Sequence, residues 1–70
     1  MRCIMVNIFV NGQNEEVEKI NILSYLKSKN IDIDDVIVEY NSKILKKINW
    51  ENTFLENDDK IEVISFVGGG

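Results

Sequence analysis

The dipeptide Asn11-Gly12 follows directly on an alternating run, Met5 to Val10. Val6, Ile8 and Val10 share one face of that run at period two, and Asn7 and Phe9 share the other. Asn-Gly is the strongest short hairpin signal, because both central residues of the turn need positive φ. The spacing therefore predicts a first strand over Met5 to Val10. A second, antiparallel strand follows over Glu15 to Lys19, with Val17 pointing inward. A chain that begins with a hairpin must then cover its apolar face.

The cover comes next in the sequence. Asn21 is a good helix N-cap. Ile22, Tyr25 and Leu26 follow at i, i+3 and i+4, the spacing of one apolar helix face. Lys27 and Lys29 fall in the last turn, where cations complement the carbonyl end, and Asn30 suits a left-handed stop. One helix is predicted from Ile22 to Asn30. Ile31 and Ile33 then pack under the sheet, with Asp32, Asp34 and Asp35 as turn residues. Val36 to Tyr40 reads as a third strand, and Asn41-Ser42 turns into a short strand around Ile44 and Leu45. Ile48 to Leu55 has no clean period, so Trp50, Phe54 and Leu55 read as anchors of a long connection. Asn57-Asp58-Asp59 is a turn, and Lys60 to Val67 is the final strand. The order predicts an α+β chain with the β-grasp (ubiquitin-like) fold: a mixed sheet of four to five strands with one main helix packed on one face.

Composition narrows the function. Seventy residues make one domain, with little room for a pocket enclosed by its own walls. No histidine is present, so the commonest general base and metal ligand are missing. Cys3 is the single cysteine, which excludes an internal disulfide and a thiolate zinc site, so no metal site is expected. The net charge of −4 disfavours nucleic acid and suits a basic protein partner. Lys43, Lys46 and Lys47 read as a solvated face. No stretch approaches a membrane span or a signal peptide, so a cytoplasmic location is expected.

The chemistry is concentrated in Gly68-Gly69-Gly70. Three of the four glycines stand at the last three positions. Glycine offers the thinnest backbone and the widest choice of φ and ψ, so such a tail can thread a narrow channel in a partner enzyme. The Gly70 carboxylate can then attack the α-phosphate of ATP and become an acyl-adenylate open to a sulfur nucleophile. No side chain of the chain itself needs to act as acid or base. The domain is expected over residues 1–67 and a flexible tail over 68–70. Ile64 and Phe66 fall on one face of the last strand, and Ile61, Val63, Ser65 and Val67 on the other. Phe66 either packs on the domain or awaits a partner.

These residues resemble the ThiS family, the sulfur carriers of thiamine biosynthesis. Val6-Asn7-Ile8-Phe9-Val10-Asn11-Gly12 is similar to the family's first strand and turn, and Ile22-Leu23-Ser24-Tyr25-Leu26 to its helix start. Val36-Ile37-Val38-Glu39-Tyr40-Asn41, then Trp50, Leu55, Asp59 and Ile61-Glu62-Val63 follow in the family's order, and Phe66-Val67-Gly68-Gly69-Gly70 matches most closely. The resemblance implies that Gly70 is adenylated by a ThiF-like enzyme, converted to a thiocarboxylate, and donates sulfur at a ThiG-like thiazole synthase. Phe66, Val67, Gly68 and Gly69 would then bind the partner. ATP would belong to that partner, and no cofactor to this chain. Asp58 and Ser42 stand where the family usually has glycine, and Asn57 is expected to take the left-handed conformation instead. The molybdopterin synthase small subunit, other sulfur carriers of the same fold, a ubiquitin-like protein modifier and an inert binding module are the alternatives. The absence of proline before the glycines favours the thiamine branch over the molybdopterin one.

Overall fold

In the computed structural model, which describes residues 4–66, Asn11 (φ 51°) and Gly12 (φ 83°) close the first hairpin. Strand β1 is Met5–Val10 and β2 is Gln13–Glu18, so pairing begins two residues sooner after the turn than the sequence suggested. A two-residue loop leaves no slack, and Val10 pairs with Gln13 at once. Asn11 also fastens the turn to the last strand. Its N–H donates to the Ile61 carbonyl at 2.9 Å, and its Oδ1 accepts from the Val63 N–H at 2.9 Å.

Helix α1 is Ile22–Ser28. Asn21 caps it as expected, its Oδ1 accepting from the Ser24 N–H at 2.7 Å. The helix stops two residues before the expected end. Asn30 lies beyond it at φ 60°, and the Ile31 N–H returns to the Leu26 carbonyl at 3.1 Å, so the left-handed residue ends the helix from outside. Ile22, Tyr25 and Leu26 are all buried. Tyr25 reaches from the helix to Glu15 on β2, and Lys29 pairs with the same carboxylate. Lys29, and after it Tyr25, holds the Glu15 carboxyl below its ordinary value, while burial and Glu15 together push the Tyr25 hydroxyl up.

Strands β3 (Val36–Tyr40), β4 (Lys43–Leu45) and β5 (Lys60–Ser65) complete a five-stranded sheet in the order β2-β1-β5-β3-β4. β5 pairs parallel with β1 and antiparallel with β3. The fold is the expected β-grasp: a mixed sheet with one helix on one face. The inner face and helix bury Val6, Ile8, Val38 and Ile61 against Ile22, Leu26, Trp50 and Leu55. Ile31 and Ile33 pack on this core from the side.

Phe54 does not anchor the long connection; it is 49% exposed. The chain there is extended beside the helix start, with Ile22 N–H on the Thr53 carbonyl and Leu55 N–H on the Ile20 carbonyl, both at 2.9 Å. Alternation sends Leu55 in and Phe54 out. The turn at 57–59 also differs from expectation. Asp58, not Asn57, takes positive φ (71°), while Asn57 accepts the Asn7 N–H through Oδ1 at 2.8 Å. Ser42 likewise sits at φ 75° in the β3–β4 turn. Both are left-handed residues with a Cβ. Ser42→Gly should stabilise the fold by about 0.5–1 kcal/mol and Asp58→Gly by somewhat less, since aspartate tolerates this region better. Urea midpoints of the two variants test this, and a lower midpoint for Ser42→Gly would contradict it.

Candidate functional site

The sheet has one covered face and one bare one. Residues of β1, β5 and β3 that alternate with the core residues point away from the helix. They include Phe9, Ile37 and Ile64, and β4 adds Ile44. All four are exposed apolar side chains. Register groups them. Ile37 and Ile64 are direct cross-strand partners, and Ile44 stands opposite Glu39, the next outward residue on β3. Glu39 is in turn the direct partner of Glu62.

Strand β5 runs through this face and brings Phe66 beside the start of β3. Val36 pairs with Ser65, and the Phe66 N–H donates to the Asp35 carbonyl at 3.0 Å. Phe66 is 56% exposed, so among the two readings of the sequence its ring does not pack into the domain. Asp35 beside it has its carboxyl raised, chiefly by a hydrogen bond with Asp32 and further by the charges of Asp32 and Asp34. The other predicted site residues, Val67, Gly68, Gly69 and Gly70, lie outside the described residues, as does the expected boundary between domain and tail. The described residues thus bring together Phe66, Ile64 and Ile37 at the end of β5.

The inner side of the same end is different. Val10, Asn11, Ile31, Asp35 and Ser65 border an open groove between the first hairpin and the segment after α1. Its walls are mixed and wide open. No helix among the described residues is long and apolar enough to cross a membrane.

The sequence reading missed Ile44 as an outward residue, and missed the meeting of Glu39 with Glu62. Ile44 was detectable by period two within a very short strand. The carboxylate pair was not, because it depends on the register between β3 and β5.

Comparison with known proteins gives a consistent result. The ThiS family profile matches residues 6–70. The crystal structure of a thiamine biosynthesis protein (ThiS) from Geobacter metallireducens superposes with a TM-score of 0.81 at 29% identity, covering 93% of this chain and 100% of that one. A solution structure of a thiamine biosynthesis protein from the same organism gives 0.76 at 29% identity, covering 93% of this chain and 88% of that one. Among curated proteins, ycf40 of Trieres chinensis is 38% identical over 63 residues, 89% of this chain and 86% of the relative. The ycf40 protein of Pyropia yezoensis is 33% identical over 66 residues, 93% of each chain.

Proposed function

Since this chain belongs to the ThiS family, we propose that it carries sulfur as a thiocarboxylate on Gly70, in the thiazole branch of thiamine biosynthesis. The observation that carries the reading is the extent of the family match. It runs to residue 70 and so includes Gly68, Gly69 and Gly70 rather than the folded domain alone. The thiamine assignment is supported by the solved thiamine biosynthesis protein that this chain covers over its whole length.

In this reading the protein is a substrate of its partners and not itself an enzyme. A ThiF-like adenylyltransferase supplies the site and the ATP. A Gly70 carboxylate oxygen attacks the α-phosphorus and pyrophosphate leaves, giving an acyl-adenylate. A sulfide-level nucleophile then attacks the acyl carbon, the bond to the adenylate oxygen breaks and AMP departs. The thiocarboxylate that remains donates its sulfur at a ThiG-like thiazole synthase. Gly68 and Gly69 contribute slenderness and backbone freedom within the partner's channel. Phe66 and Val67 contribute the apolar contact just before it.

The test is the intact mass of the chain after incubation with the adenylyltransferase, ATP and sulfide. The expected result is a gain equal to exchanging one oxygen for sulfur, located by fragmentation at Gly70. An unchanged mass with an enzyme shown to be active, and with Gly70 intact, would exclude the carrier role.

A further inference from the structure

The ladder between β3 and β5 ends in the middle of a rung. In an antiparallel ladder, hydrogen-bonded pairs alternate with non-bonded ones. The Asn41 N–H donates to the Lys60 carbonyl at 2.7 Å, and the Phe66 N–H to the Asp35 carbonyl at 3.0 Å. With the register between them, the bonded pairs are Asn41–Lys60, Glu39–Glu62, Ile37–Ile64 and Asp35–Phe66. A complete bonded pair exchanges two hydrogen bonds. In the last one the Asp35 N–H does not turn to Phe66; it donates to the Asp32 carbonyl at 3.0 Å.

The turn that diverts this amide also closes the way beyond it. The Asp34 N–H donates to Asp32 Oδ1 at 3.1 Å, and the Asp32 side chain shares a hydrogen bond with the Asp35 carboxyl. Ile33, which the same register would set opposite residue 68, packs against the core instead. Residues 32–34 are therefore committed to their own turn and to the core. Past Ser65, β3 offers the chain one bond, the Asp35 carbonyl on the Phe66 N–H. Four residues, 67–70, follow that bond in the sequence. Fully extended, four residues span at most about 13–14 Å.

We infer that the Asp35–Phe66 bond is the gauge of the carrier's tail: it fixes the point from which the reach of Gly70 is measured. This rests on the carrier reading. In that reading a narrow channel of the adenylating partner holds the tail extended, so reach follows directly from the number of residues beyond the last bond. The α-phosphorus of the partner's ATP then lies a full tail length, about 13–14 Å, from Phe66. One further bonded pair in the ladder would shorten the reach by two residues, about 7 Å, and leave the Gly70 carboxylate short of the phosphorus. Loss of the bond would add the same length, because the bonded pair before it is Ile37–Ile64.

The experiment uses four versions of the whole chain, made by chemical ligation. Two carry the natural tail and two lack Gly69. In one of each pair an ester replaces the amide between Ser65 and Phe66, which removes the Phe66 N–H and keeps its ring. ATP–pyrophosphate exchange with the adenylyltransferase gives kcat/KM for each. Deleting Gly69 should lower kcat/KM at least about a hundredfold, because the carboxylate no longer reaches the phosphorus. The ester should recover at least about tenfold of that loss by releasing residues 65 and 66. On the natural tail the ester should cost only about twofold, the dilution expected when four free residues become six. A bond that merely stabilised the fold would lower exchange on either tail when removed, and would never rescue the shorter one. Full activity of the chain without Gly69, no rescue by the ester, or an ester loss on the natural tail as large as that of the deletion would each overturn the gauge. Exchange by the natural chain would in those cases leave the carrier reading standing. No exchange by the natural chain, with an adenylyltransferase shown to be active, would overturn both.

Discussion

Trp50→Ala is expected to lower the stability of the fold by about 3–5 kcal/mol, the largest loss of any single substitution considered. Trp50 is the largest buried side chain and is 2% exposed. Removing an indole from a packed core costs about 3–5 kcal/mol. A domain of this size has only about 4–10 kcal/mol in total, so one substitution removes a large part of it. The indole also does more than fill space. Its Nε1–H donates to the Leu45 carbonyl at 2.9 Å, tying the end of β4 to the connection that follows the 3-10 turn at Lys47–Asn49. Trp50→Phe keeps most of the apolar volume and loses that bond, so its cost should be smaller, about 1–2 kcal/mol. Far-ultraviolet circular dichroism during urea titration distinguishes these. Equal stability of the two variants would mean that the volume of the indole is not what holds the connection down.

Asp59→Ala should have the second largest effect, a loss of about 3 kcal/mol. Asp59 is the buried charged residue of the described core, 6% exposed. Its Oδ2 accepts from the Tyr40 hydroxyl at 2.6 Å and from the Glu56 N–H at 2.8 Å, and its Oδ1 accepts from the Asn41 side-chain amide at 3.1 Å. Three donors on one carboxylate tie together the end of β3, the turn at 57–59 and the start of β5. Alanine removes the acceptor of all three, leaving the Tyr40 hydroxyl with the Phe54 carbonyl at 3.5 Å. The Tyr40 hydroxyl is correspondingly pushed up by burial and then by Asp59, because its anion would face that carboxylate. Asp59→Asn preserves shape and some accepting capacity, so it should fall between wild type and alanine. Tyr40→Phe should cost about 1 kcal/mol, and much less when Asp59 is already alanine. Trp50 fluorescence in urea reports each variant. Additivity of Tyr40→Phe with Asp59→Ala would dissolve the network argument.

Local patterns in the sequence were enough to place the strands and the helix. Period two in Met5 to Val10, an Asn-Gly turn, an asparagine cap and an i, i+3, i+4 apolar stripe are each short-range signals, and each corresponds to an element of the fold. What failed was decided at longer range. Phe54 looked like an anchor because it is large and apolar, but the backbone pairing at 53 and 55 had already assigned Leu55 to the inside. Asn57 was the better left-handed residue by type, yet its side chain was needed 50 residues away at Asn7, and Asp58 took the strained position. Phe66 was ambiguous because alternation gives two faces and not which of them is covered. The helix decides that, and it covers the face of Ile61 and Val63. The carboxylate pair of Glu39 and Glu62 required a register that no local pattern contains.

The position of β5 has a consequence for synthesis. It comes last among the strands yet lies between β1 and β3, the first and third strands of the chain. The hairpin, the helix and the β3–β4 unit can each form early, but the sheet stays split until β5 is inserted. A nascent chain therefore cannot complete its fold while Lys60–Ser65 is still unmade or held in the ribosome. A chain broken off before that point presents a carboxylate on an unfolded polypeptide, without the paired isoleucines of the outer face. Only a chain made through Ser65 holds a closed sheet together with the paired isoleucines of its outer face, so in a series of truncations both features should be gained at the same point.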